Sequence, residues 1–123
     1  MFYEQDWILR QISIIIKFIR SLLSKEGKVY EQDEEQTVFK EEIEKLIELN
    51  RLKEANSLIV KTSKDKDVLA LGLWFYDLLN DLSDKRLEEG ALAREDILKG
   101  LRTLLYNSDR VDNSIVDIII DKY

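Results

Sequence analysis

Apolar residues recur with a helical period along most of the chain. They fall three or four positions apart in 38–49, 52–59, 68–79, 97–105 and 111–119, with charged residues between them. A period near 3.6 residues is typical of amphipathic helices that bury one stripe. The pattern therefore predicts an all-α fold, a single-domain bundle of about six to seven helices.

Segment 2–24 differs from the others because its apolar side is unusually wide. Its polar residues form one narrow stripe, which consists of Asp6, Arg10, Ser13, Lys17, Arg20 and Ser24. At 100° per residue the remaining apolar arc spans roughly 220°, whereas a surface helix needs about 100°. We interpret this segment as a central helix surrounded by the others. Three alternatives stay open: a surface for a partner or a second copy, a helix lying on a membrane, and an Ile-rich β-strand.

Two apolar features could serve as an interaction surface. One is the broad face of segment 2–24, and the other is the aromatic run at 74–76, whose three adjacent residues cannot share one helix face. The candidate surface comprises Trp7, Ile8, Ile12, Ile15, Ile19, Leu22, Trp74 and Tyr76.

The turn at Asn50 joins two predicted helices through very few residues, which makes them antiparallel neighbours. Asn tolerates the left-handed conformation that often ends a helix, and Ala55 allows the second helix to approach the first closely. The run Asn50-Arg51-Leu52-Lys53-Glu54-Ala55 resembles the turn of a tetratricopeptide unit. Phe39, Leu46 and Ile59 also stand where such a unit has apolar residues, whereas Ile43 and Asp67 depart from its pattern. The resemblance covers about one unit and implies a tetratricopeptide-like αα-hairpin.

The chain as a whole is similar to a family of short, uncharacterised bacterial helical proteins. Met1-Phe2, Asp6-Trp7-Ile8-Leu9-Arg10 and the segment Leu78-Leu79-Asn80-Asp81-Leu82-Ser83-Asp84 carry this resemblance. It implies no function that can be transferred.

Several polar residues predict where helices begin and end. The acidic, polar segment 25–37, in which Gly27 breaks the helix, predicts a linker between the helix at 2–24 and the bundle at 38–123. A calcium-binding loop is the alternative, but the segment lacks the residue order of an EF-hand. Thr62-Ser63 is expected to cap the helix that starts near Val68, and Ser83 and Gly90 to bound a short helix. Gly72, within a helix, suggests close helix packing.

Composition limits the chemistry that the chain can perform. It has 123 residues, no Pro, no Cys and no His, and its formal net charge is −6. The acidic total argues against nucleic-acid binding, although residues 1–28 carry five Lys or Arg against three Asp or Glu. Without His no side chain has an ordinary pKa near neutrality, and no nucleophile, zinc or nucleotide motif is present. We therefore expect no catalytic residues, metal or cofactor. Because no secretory signal is evident, we expect a cytoplasmic location.

The pattern favours a non-enzymatic protein that binds a protein partner or a second copy of itself. One alternative is a peripheral membrane protein that uses the N-terminal amphipathic helix. Another is a carboxylate-based, metal-dependent hydrolase around Asp77 and Asp81, which lie one helical turn apart.

Overall fold

The computed structural model describes the backbone of residues 2–25 and 34–122, and the side chains of 7–24 and 34–119. Within these ranges every regular element is a helix, and the all-α, single-domain prediction is confirmed. The seven helices are α1 (Phe2–Lys25), α2 (Glu34–Glu48), α3 (Leu52–Ser63), α4 (Leu69–Asn80), α5 (Asp84–Glu89), α6 (Arg94–Asn107) and α7 (Asn113–Lys122).

Helix α6 is the centre of the bundle. It packs against α1, α3, α4 and α7, while α4 also packs against α1, and α2 against α3. Two glycines lie where α4 and α6 pack closely against neighbouring side chains. A Cβ added at Gly72 of α4 would lie 2.3 Å from a methyl carbon of Leu104 of α6. The close packing predicted at Gly72 is thus confirmed, and Gly100 of α6 plays the same role against Tyr76.

The α2–α3 turn forms as its sequence predicts. Asn50 has a φ of 57°, in the left-handed region, and the Arg51 amide donates to the Leu46 carbonyl. The Asn50 side chain donates from Nδ2 to the Arg86 carbonyl, which fixes the hairpin against α5. The structure confirms an αα-hairpin here. Its likeness to a tetratricopeptide unit remains a prediction.

The corner between α4, α5 and α6 is held by a buried arginine. Arg94 donates from Nη1 to the Asn80 carbonyl at 3.1 Å and from Nη2 to the Leu82 carbonyl at 3.0 Å. Its Nε and Nη2 both donate to Asp84 Oδ1. Carbonyls at a helix C-terminus have no partner within the helix, and Arg94 supplies one. Segment 78–84, which carries the family resemblance, is therefore the segment that surrounds this guanidinium.

Two predictions of helix boundaries need correction. Helix α2 begins at Glu34, inside the segment expected to be a linker; residues 26–33 of that segment lie outside the described residues. Thr62 and Ser63 close α3, and it is Asp67 Oδ1 that accepts the Leu69 amide at the start of α4. Ser63 instead accepts a hydrogen bond from Asn107 of α6.

Caps elsewhere follow the sequence more closely. Ser83 Oγ accepts the Arg86 amide and begins α5, as predicted. Gly90 follows the end of α5, but the residue with a left-handed backbone conformation is Ala91, whose φ is 58°. Because Gly90 has no side chain, the Leu52 side chain can pack directly against its backbone. The α7 N-terminus is capped by Asp112, which accepts from both the amide and the hydroxyl of Ser114. These bonds lower the pKa of the Asp112 carboxyl.

Candidate interaction surface

Helix α1 is anchored to the bundle by one apolar face. Its buried apolar side chains pack in the common core and are Ile8, Ile12, Ile15, Ile16, Ile19 and Leu23. Two polar contacts add to this packing. Asn80 of α4 donates from Nδ2 to the Leu9 carbonyl at 3.0 Å, and Arg20 pairs with Asp77 of α4 at 3.1 Å. The segment is a helix, so the strand alternative is wrong.

A second apolar row of α1 remains at the surface of the chain. Trp7, Ile14 and Phe18 are 53%, 45% and 44% exposed. They lie on one side of the helix, since positions separated by 7 and 11 residues return to nearly the same angle. Together with Gln11, they have the 4-3-4 spacing by which two helices pack along a seam. We call Trp7, Gln11, Ile14 and Phe18 the α1 row.

Gln11 is the polar member of the α1 row. It is 4% exposed, and its Oε1 accepts no hydrogen bond from the described residues. A buried acceptor without a donor costs free energy, which the surrounding packing of α1 must offset.

Two exposed basic residues border one side of the α1 row. Arg10 and Lys17 are exposed and lie seven residues apart, beside Trp7 and Ile14 on the helix surface. A partner that covers the row would therefore meet positive charge along one edge. Acidic groups on the partner would complement that edge.

The structure corrects the composition of the surface predicted from sequence. Ile8, Ile12, Ile15 and Ile19 are core residues, with exposures between 0% and 7%, so they are not available to a partner of the folded chain. Leu22 is half-buried against the same core. Of the candidates on α1, Trp7 alone is mainly exposed.

The aromatic candidates of α4 lie apart from the α1 row. Tyr76 is fully buried and its hydroxyl donates to Asn56 Oδ1 at 2.7 Å. Trp74 is half-buried, with the Lys40 ammonium 4.8 Å from its ring centroid. Arg20, which reaches α4, lies two residues and thus about 200° around the helix from Phe18. The α1 row therefore faces away from α4 and from Trp74.

Sequence reasoning missed Ile14 and Phe18 as surface residues. Both residues belong to the wide apolar arc of segment 2–24, and angular position alone does not show which part of that arc the bundle covers. The sequence does contain a pattern that distinguishes these surface residues from the core residues of α1. The row at 7, 11, 14 and 18 has its own regular spacing, separate from the row at 8, 12, 15 and 19.

The acidic pair proposed for hydrolysis has simple structural surroundings. Asp77 accepts a hydrogen bond from Arg20, and Asp81 is an exposed residue that follows the last turn of α4. Among the side chains that the structure describes, no group of three or more His, Cys, Asp or Glu residues could hold a metal ion. In the same part of the chain, no helix is long and apolar enough to span a bilayer.

Comparison with known proteins identifies the family. The model of DUF6483, a family of unknown function, matches residues 2–108. The chain belongs to this family. The match runs from α1 through α6, so it includes the α1 row and the Arg94 corner, and it ends before α7. No curated protein and no solved structure matches the chain.

Proposed function

We propose that this DUF6483 protein is a non-enzymatic interaction module that binds an α-helix of a protein partner through the α1 row. The observation that carries the proposal is the exposure of Trp7, Ile14 and Phe18 in one line along a helix that is otherwise firmly packed. Large aromatic and aliphatic side chains presented on a rigid element are typical of protein interfaces.

A helix is the occupant that the spacing favours. The 4-3-4 repeat is the period of a two-helix seam, in which side chains of one helix pack between those of the other. Trp7 and Phe18 are separated by eleven residues, about 16 Å along the helix axis, or roughly three turns. A partner helix of similar length would cover the row.

The test compares a double substitution in the α1 row with a single substitution on another helix. Ile14→Glu with Phe18→Glu places charge in the α1 row, whereas Ile118→Glu places charge at an exposed apolar residue of α7, 61% exposed. All variants should retain the helical circular dichroism of the wild type. In affinity capture from host lysate, and in sedimentation of the purified chain, we expect the α1 double variant to lose association and the α7 variant to keep it.

Two results would contradict the proposal. Equal association by both variants would mean that the α1 row is not an interface. Flotation of the wild type with anionic liposomes at low salt, lost in the α1 double variant, would instead support a membrane-surface helix, because an apolar row bordered by Arg10 and Lys17 also suits anionic headgroups.

A further inference from the structure

A second helix of the chain carries an exposed row with the same spacing as the α1 row. On α2 and the residue that follows it, Val38, Glu42, Lys45 and Leu49 stand 4, 3 and 4 residues apart. Val38 and Leu49 are 62% and 64% exposed, and Glu42 and Lys45 are also exposed. We call these four residues the α2 row. Its two apolar ends are eleven residues apart, as are Trp7 and Phe18.

The flanks of the two rows carry opposite charge. Arg10 and Lys17 lie three and ten residues after Trp7, while Glu41 and Glu48 lie three and ten residues after Val38. All four flanking residues are exposed. The basic edge of the α1 row and the acidic edge of the α2 row therefore occupy equivalent positions on their helices.

These edges select one pairing and disfavour two others. When two helices pack antiparallel, equivalent flanks face each other, and in this seam Arg10 would face Glu48 and Lys17 would face Glu41. Two α1 rows packed antiparallel would bring Arg10 and Lys17 of both copies together, and two α2 rows would bring Glu41 and Glu48 together. Like charges in such positions oppose association.

We infer that the α1 row of one molecule packs antiparallel on the α2 row of a second copy. This inference rests on the proposed function and names the partner helix. In the matching register Trp7 lies opposite Leu49, and Phe18 lies opposite Val38. Lys45 then aligns with position 11, where the Gln11 side chain is buried.

The surface beside Val38 offers space for an aromatic ring. A groove of about 660 Å³ lies between α2 and α3, with apolar walls from Val38, Phe39, Leu58 and Val68. Glu42 also lines it. In the antiparallel register, Phe18 of the second copy lies at this groove. Its ring can therefore enter the groove in addition to contacting the surface of α2.

The pairing is head-to-tail. Arg20 and Lys40 both reach α4, at Asp77 and Trp74 respectively. Arg20 lies two residues after Phe18, and Lys40 lies two residues after Val38. Each is therefore about 200° around its helix from that member of the row. Both rows therefore face away from α4, which Arg20 of α1 and Lys40 of α2 contact. Two copies joined through one α1–α2 contact still expose one α1 row and one α2 row. Further copies can bind there, so the assembly is either a closed ring or an open filament.

A charge-swap experiment on the full-length chain tests the pairing. Sedimentation velocity over a range of concentrations should show reversible association of the wild type. Lys17→Glu and Glu41→Lys, each alone, should weaken it at least about tenfold, because each places like charges opposite one another. The two substitutions combined in one chain should restore it.

Mixing blocked variants tests the head-to-tail geometry. Phe18→Glu blocks the α1 row and Leu49→Glu blocks the α2 row, so each alone should be monomeric. An equimolar mixture should give a 1:1 dimer and nothing larger, since only one compatible pair of rows remains.

Any other result contradicts the α1–α2 pairing. The outcomes below also distinguish a failure of this pairing from a failure of the proposed function. If Phe18→Glu abolishes self-association while Leu49→Glu does not, α1 rows pair with each other. If the wild type stays monomeric at millimolar concentration yet loses a captured host protein on Ile14→Glu with Phe18→Glu, the partner is a different protein and the proposed function stands. If neither association exists, both fail.

Discussion

Nε and Nη2 of Arg94 both donate to a single oxygen of Asp84, at 3.0 and 2.9 Å, across the corner where α4, α5 and α6 meet. The Arg94 side chain is 8% exposed and that of Asp84 is 61% exposed. The guanidinium is therefore buried with its remaining donors on the Asn80 and Leu82 carbonyls, while its counter-ion sits at the surface.

Removal of this guanidinium should destabilise the bundle. Arg94→Met leaves the Asn80 and Leu82 carbonyls without their donor, and we expect a loss of about 3 kcal/mol in the free energy of unfolding. Urea denaturation followed by circular dichroism measures it. Arg102→Met, on the exposed side of the same helix, is the matched control and should change stability by less than about 0.5 kcal/mol. Equal effects would mean that the Arg94 contacts contribute nothing specific.

Tyr76 should make the protein sensitive to alkaline pH. Burial raises the pKa of its phenol well above the ordinary value of 10.0. Below pH 10 the phenol is protonated in both states and its contribution to stability is complete. Above that pH the unfolded chain releases the proton while the native chain retains it, so the free energy of unfolding falls as pH rises.

The Tyr76→Phe variant isolates this contribution. It should lose about 1 kcal/mol at pH 8 with the hydrogen bond to Asn56, and its stability should then decline less steeply between pH 9 and pH 11. Denaturation midpoints at several pH values decide; parallel curves for wild type and Tyr76→Phe would contradict the assignment.

Gln11 and Asn80 form a contrasting pair of buried amides, each 4% exposed. Gln11→Leu should stabilise the chain by about 1 kcal/mol, because it removes a buried acceptor that has no donor among the described residues. Asn80→Leu should destabilise the chain by about 1–3 kcal/mol, because it removes the Nδ2 group that donates a hydrogen bond to the Leu9 carbonyl. Thermal unfolding of both variants checks this, and a loss of stability in Gln11→Leu would show that Oε1 is satisfied in solution.

Adjacent residues of α1 should respond very differently to charge. Ile15 is fully buried and Ile14 is 45% exposed. Ile15→Glu places a carboxylate in the core and should abolish cooperative unfolding and most helicity. Ile14→Glu should change the free energy of unfolding by less than about 1 kcal/mol. Retained helicity in Ile15→Glu would place α1 outside the core.

The two glycines at the α6 crossings should tolerate alanine unequally. At Gly72 the new methyl would meet the end of the Leu104 side chain, which can rotate away. At Gly100 it would lie 2.3 Å from the Tyr76 hydroxyl and 2.6 Å from Asn56 Oδ1, so it would separate a hydrogen-bonded pair. We expect a loss of about 1 kcal/mol for Gly72→Ala and about 3 kcal/mol for Gly100→Ala. Equal losses in denaturant melts would contradict this order.

Local rules predicted the features that depend on neighbouring residues. The helix periods, the left-handed Asn50 and the Ser83 cap follow from side-chain spacing and backbone preference within a few positions. The close packing at Gly72 was also predictable, because a glycine within a helical segment lowers helix stability and is usually explained by close packing. The caps at Asp67 and Asp112 were missed, because several polar residues nearby compete for the same role.

The sequence by itself determined that the chain is a helical bundle and that α1 has more apolar surface than an ordinary surface helix. Only the tertiary structure decided how that surface is divided. Ile15 and Ile19 are covered by the bundle, whereas Ile14 and Phe18 are not. The reason is physical: hydrophobicity is a property of each residue, but burial depends on which distant helices pack over it. The position of Arg94 beneath Asn80 and Asp84 is another long-range result, since residues ten and fourteen positions apart meet only when the corner between α4 and α6 closes.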